Sequence, residues 1–284
     1  MIVRRVVSTT QPIKVKEIAC KSILTKSGLS DWTINCYVGC EHGCRYCYAR
    51  FIKRFTHHPE PWGTFVDARI SAPQVLEHQV KRAKRGRVIL SSVCDGWQPL
   101  EEKYRLSREC ARILIDNAWP VGILTKSALV SRDFDLLEHG EVDLGMTVAI
   151  RDDRIRSIVE PEASPTEERM ETLREAARRG IAIWAFVGPF LPGLNDNEEN
   201  IAWLMRWMAK LPVTHFYVDR LNFRPGVASS LRQTLEAHFP ELVARYREIE
   251  SDDAASDAFE RGLYARVRTI ARKHGVEDKA RGCG

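Results

Sequence analysis

Cys40, Cys44 and Cys47 stand as Cys-x-x-x-Cys-x-x-Cys within the run Gly39-Cys40-Glu41-His42-Gly43-Cys44-Arg45-Tyr46-Cys47-Tyr48-Ala49-Arg50. Thiolates are soft ligands, and three of them this close can wrap one inorganic centre in a compact loop. Three ligands on a cubic [4Fe–4S] cluster leave the fourth iron open to bind a small molecule and act on it. A structural zinc site is closed by four ligands. Cys36 could supply a fourth thiolate, but no second Cys-x-x-Cys and no histidine pair follows. A plain electron-transfer cluster would want four protein cysteines. Four of the eight cysteines fall between 36 and 47, which suits a metal or cluster site in a reducing compartment better than a disulfide framework.

Such a loop needs a scaffold, and the chain supplies an alternating one. Residues 32–36 read as a first strand and 71–84 as a first helix. Strands over 87–93, 121–124, 142–150, 181–187 and 213–218 then alternate with helices over 103–117, 132–138, 164–180 and 197–209. Ser164-Pro165-Thr166-Glu167 carries an N-cap, a proline for the first helical position and a capping-box glutamate, and Gly180 ends that helix. Six strand–helix steps with short connections predict a parallel sheet. Pattern alone also allows a flat doubly wound sheet, but no glycine-rich nucleotide fingerprint or P-loop follows any strand. Residues 223–284 break the alternation. Pro225-Gly226 ends the last strand, and helical stretches over 229–250 and 254–274 follow.

At 284 residues and 44% hydrophobic, the chain can bury a full core as one large α/β domain. No apolar run approaches the ~20 residues of a membrane span. The start, Met1–Val7, lacks the apolar core of a signal peptide, so a cytoplasmic protein is expected. The net charge of +5 is mild but concentrated, with Lys81, Arg82, Lys84, Arg85 and Arg87 in one short run. That run is a candidate patch for a nucleic-acid backbone; the plainer reading is a solvated helix end whose cations suit the helix dipole.

The cysteine spacing resembles the signature of the radical S-adenosylmethionine (SAM) superfamily, and the wider text resembles its spore photoproduct lyase-like branch. His58-Pro59-Glu60-Pro61-Trp62-Gly63, Asp95-Gly96-Trp97-Gln98-Pro99, Thr125-Lys126-Ser127 and Pro192-Gly193-Leu194-Asn195-Asp196 resemble segments of that branch, in order, over about residues 30–222. The resemblance implies a partial (β/α)6 TIM-type barrel of the radical SAM type over 30–222. A segment 1–29 precedes it, and a helical C-terminal extension over 223–284 packs on it. In such a barrel the site lies at the C-terminal strand ends.

The resemblance further implies a radical SAM enzyme with a [4Fe–4S] cluster on Cys40, Cys44 and Cys47. It would cleave SAM reductively to a 5′-deoxyadenosyl radical that takes a hydrogen atom from a substrate. An electron donor such as ferredoxin or flavodoxin, and oxygen sensitivity, come with it. Ser92 and Asp95 fall near where relatives hold the methionine amino group. Lys126 matches a lysine suited to the carboxylate, Thr147 a position facing SAM, and Tyr46 a neighbour of the adenine. Cys94 lies in the region of the lyase's hydrogen-donating cysteine but not in its register, and small-residue packing is its other reading. Tyr48 resembles a tyrosine of the lyase's radical relay. Nucleic acid is a candidate substrate, as for the lyase, but the shorter chain and the shifted Cys94 point to a different one. Two other classes stay open: a nucleic-acid-binding protein with a structural metal, and an iron–sulfur electron carrier.

Overall fold

The computed structural model describes residues 13–224 and 226–282. The readings at Met1–Val7, Pro225 and Cys283 lie outside the described residues. In chain order the strands are β1 (Lys14–Ile18), β2 (Thr25–Lys26), β3 (Trp32–Ile34), β4 (Tyr37–Val38), β5 (Phe65–Arg69), β6 (Val88–Leu90), β7 (Val121–Thr125), β8 (Val142–Thr147), β9 (Ala182–Phe190), β10 (Phe216–Arg220) and β11 (Ala280–Arg281).

β3, β6, β7, β8, β9 and β10 lie side by side in that order, every pair parallel. β2 borders β3 antiparallel and β11 borders β10 parallel, so the described sheet has two free edges and the barrel is partial. The strands are built on a period of two. Val88, Leu90, Val121, Ile123, Leu144, Met146, Ile183, Ala185, Phe216 and Val218 are buried on the face covered by helices. The opposite residues, Ile89, Leu124, Asp143, Trp184, Phe186 and Tyr217, are only partly covered. A parallel sheet packed on both faces reads as a near-continuous apolar run; here the alternation marks one face as open.

β1, β5 and β4 form a second small sheet that the periodicity did not indicate. β1 is almost wholly exposed and β5 almost wholly buried, so neither alternates. Several boundaries also differ from the sequence reading. The helix expected over 103–117 is split into Glu101–Tyr104 and Leu106–Asp116 by Arg105, whose φ is 52°. A short helix, Asp153–Val159, follows β8, and the helix expected over 164–180 starts at Thr166 with Pro165 as its cap residue, because the Ser164 hydroxyl instead accepts from the Ala128 amide at 2.9 Å. The stretch 229–250 breaks at Pro240, which has no amide hydrogen to continue the helix. The last helix, Asp253–Lys273, packs on the helix Glu198–Lys210, and the chain then returns to the sheet edge as β11.

Candidate functional site

The cysteine loop sits at the C-terminal ends of the parallel strands and is held there from several sides. Gly39 has φ +91°, and a Cβ on it would lie 2.4 Å from the Phe65 carbonyl oxygen, so only glycine lets the loop approach β5. Gln98, fully buried, accepts from the Glu41 amide at 2.8 Å and donates to the Gly39 carbonyl. The Arg45 amide donates to the Val159 carbonyl at 2.8 Å. The Asp95-Gly96-Trp97-Gln98-Pro99 segment is therefore a brace under the loop.

Asp95 is the centre of that brace. Its oxygens accept from the Trp97 amide, the Thr125 hydroxyl and the Lys126 amide at 2.7–2.9 Å, and His42 Nδ1 lies 3.4 Å away. Burial pushes its carboxyl up, but the His42 charge and these donors outweigh burial and hold it well below the usual carboxylate range. A carboxylate has about four lone-pair positions, and this one uses them on the protein, tying the loop to the ends of β6 and β7. His42 has no counterpart among the sequence candidates. Its Nδ1 faces Asp95, while its buried Nε2 has no hydrogen-bond partner among the described residues. Its place inside the cysteine run was the available signal.

Cys40, Cys44 and Cys47 border one cavity, together with His42, Tyr48, Trp62, Ser92, Cys94, Asp95, Thr125, Lys126 and Thr147. Burial pushes the three thiols up, Cys44 to about 12, and the Lys126 charge pulls Cys44 and Cys47 partly back. Buried thiols of this kind become ligands only when a metal cation replaces the proton. Among the described residues no group of three or more His, Cys, Asp or Glu closes on a point suited to one metal ion. Three cysteine thiols on one cavity match the ligand number of a four-iron cube with one open iron, whereas a structural zinc site is closed by four ligands.

The structure thus brings most of the sequence candidates together. Ser92 lines the cavity with its amide and hydroxyl on Asn35, which also fixes the Val93 amide. Cys94 has its thiol 3.7 Å from Asn35 Oδ1 and is pushed up to about 12 by burial. Among the described residues the Lys126 ammonium has no carboxylate partner and stands 5.7 Å over the Tyr46 ring. Thr147 accepts from Arg169 with its carbonyl at 2.9 Å. Tyr48 donates its hydroxyl to the Ser92 carbonyl.

Two candidates are placed differently. Tyr46 is packed behind the loop, its hydroxyl donated to buried Glu160, which Arg169 also holds. Arg87 leaves the basic run: its guanidinium crosses to the open face of the sheet and pairs with Asp143. Lys81, Arg82, Lys84 and Arg85 are exposed before β6, at the opposite end of the sheet from the cysteine loop. Cys36, close to the cysteines in sequence, turns into the core with its sulfur 3.6 Å from that of Cys110.

Residues 34–205 match the sequence profile of the radical SAM superfamily. An uncharacterized protein of Methanocaldococcus jannaschii is 30% identical over 251 residues, covering 88% of this chain and 89% of its own. A radical SAM Nα-GlyT isomerase of Pseudomonas phage M6 is 21% identical, over 84% of this chain and 47% of the isomerase. Among solved structures, a spore photoproduct lyase variant superposes with a TM-score of 0.66 at 13% identity, over 95% of this chain and 81% of the lyase. A lyase variant with bound AdoMet and dinucleoside spore photoproduct gives 0.61 at 14% identity, over 78% and 66%. At these identities the structural likeness is one of fold. Among the described residues no helix is long and apolar enough to cross a membrane.

Proposed function

Because the chain belongs to the radical SAM superfamily, whose cofactors are a [4Fe–4S] cluster and SAM, we propose that Cys40, Cys44 and Cys47 hold that cluster in an enzyme that takes a hydrogen atom from its substrate. The observation that carries this reading is the shared cavity: three buried thiols open onto the same space as Lys126, Ser92 and Thr147. The cluster and SAM, when bound, supply a one-electron cleavage and a carbon radical, chemistry that belongs to the cofactor.

The protein's part is to bind, orient and exclude water. Lys126 offers the SAM carboxylate a charged donor. Ser92 and Thr147 offer polar contacts at the strand ends. Asp95 acts by positioning, through His42, Thr125 and the Lys126 amide, since its oxygens are already bonded. Trp62 and Leu124 give the cavity an apolar wall that limits water. Cys94 and Tyr48, both on the cavity, are the candidates to pass a hydrogen atom to or from a substrate radical.

We place the protein in the cytoplasm, with ferredoxin or flavodoxin as reductant, and expect it to be oxygen-sensitive. The dinucleoside bound to the lyase makes nucleosides and their derivatives the first substrate class to try. Anaerobic reconstitution should give about four irons and four sulfides per chain. SAM should then perturb the paramagnetic spectrum of the reduced cluster, and dithionite should drive slow 5′-deoxyadenosine formation. Cys40→Ala, Cys44→Ala and Cys47→Ala should each abolish the signal. Protein that loads zinc but no iron would overturn the assignment, and a cluster that cycles electrons without consuming SAM would make it a carrier.

A further inference from the structure

The open face of the sheet is a cleft that joins the cysteine cavity through Tyr48, Ser91, Ser92 and Leu124. Closed eight-stranded barrels fill this interior with packed branched side chains; here the described residues leave it open. Two glycines flatten its floor. A Cβ on Gly145 would lie 2.2 Å from the Trp184 ring, and one on Gly122 2.9 Å from the Arg87 guanidinium, so both side chains lie flat across a neighbouring strand.

The far end of the cleft is aromatic. Trp184 and His215 stack with ring centres 5.6 Å apart and planes 8° from parallel. Tyr217 stands edge-on to both, at 5.8 and 5.1 Å, and is 43% exposed. Beside them lies the Arg87–Asp143 pair, its two charges offsetting each other. Burial, reinforced by the Arg281 charge, lowers the His215 pKa. An exposed aromatic cluster over a charge-balanced donor–acceptor pair offers little to a polyanion and much to a flat neutral ring. Asp143 lies four residues below Thr147 on β8, ~13 Å along the strand, which sets the span between this end and the cysteine cavity.

We propose that this face is the substrate-recognition half of the active site, taking an elongated substrate that ends in an uncharged planar heteroaromatic ring. The ring packs on Tyr217 and the Trp184–His215 pair, and Arg87 and Asp143 meet its polar edge. The proposal rests on the reading of the cysteine cavity as the SAM site.

The test uses anaerobically reconstituted protein with SAM and three probes titrated by ligand-observed NMR. Thymidine is neutral, planar and carries a donor–acceptor edge; N-acetylleucinamide has amides but no ring; thymidine 5′-monophosphate adds charge. Thymidine should bind at least tenfold tighter than N-acetylleucinamide and within about threefold of the monophosphate. Tyr217→Ala should weaken thymidine at least tenfold, whereas Tyr217→Phe should keep the affinity. Equal binding of thymidine and N-acetylleucinamide, a tenfold preference for the monophosphate, no effect of Tyr217→Ala, or equal losses in the two Tyr217 variants would each overturn the proposal. SAM titration and 5′-deoxyadenosine formation in the wild-type protein keep the two readings apart. Failure there removes the SAM site itself, whereas normal SAM cleavage without ring preference removes only the cleft's role.

Discussion

Lys126 is the sharpest test at the scale of one residue. It borders the cysteine cavity with no carboxylate partner among the described residues, while its own amide is fixed on Asp95. If the ammonium holds the SAM carboxylate, Lys126→Ala should weaken SAM binding by ~1.5–3 kcal/mol, roughly 10- to 150-fold, as read by calorimetric titration of the reconstituted protein. Unchanged affinity would assign Lys126 to its contact with the Tyr46 ring alone. The Thr125-Lys126-Ser127 segment pointed to this residue without a structure. Nothing in the sequence said that Asp95 would also be held by the Thr125 hydroxyl and the Lys126 amide, or that Tyr46 would be claimed by Glu160, because those partners are 30 to 114 positions away.

At the scale of the element, the cysteine loop is a rigid mould rather than a tether. Its backbone is fixed by Gln98, by the Val159 carbonyl and by the close approach of Gly39 to β5. Gly39→Ala should cost about 1–3 kcal/mol from backbone conformation alone, with the clash against Phe65 added. It should lower both the melting temperature and the iron bound per chain. Gly180→Ala is the matched control: its φ is +82°, yet a Cβ there meets nothing within 4 Å and it lies at the end of a remote helix. That variant should lose stability and keep full iron content. Equal iron content in the two variants would show that the loop tolerates a change of shape.

For the whole molecule, stability should depend on pH through a carboxyl that the chemistry does not use. Glu101 is fully buried between Tyr37, the Ser107 and Arg108 amides, and Arg132. Burial, only partly offset by those donors, raises its pKa to about 7. Between the ordinary carboxyl pKa and about 7 the folded protein keeps a proton that the unfolded chain has released. The contribution is therefore fully present below the unfolded pKa and lost as pH rises to 7, on the order of 3 kcal/mol. Denaturant unfolding of the cluster-free protein at pH 5 and pH 8 should show this loss, and Glu101→Gln should flatten the difference. Identical pH slopes in the two proteins would mean that Glu101 stays ionised throughout.

The cysteine spacing and the strand–helix alternation are local properties, so the sequence alone pointed to the superfamily and the parallel sheet, and the resemblance then implied the strand ends where the candidate site lies. Side-chain period also told which face of β8 is apolar. The tertiary structure decided what local pattern cannot carry. The β1–β5–β4 sheet forms from strands with no alternation, because one is exposed and the other buried on both faces. Arg87 reads as one of five basic neighbours until Gly122, on the adjacent strand, gives its side chain room to reach Asp143. The open, aromatic face exists only because β6 to β10 lie side by side, which brings Trp184 of β9 and His215 and Tyr217 at β10 to one end of a cleft that opens at its other end onto Cys40, Cys44 and Cys47.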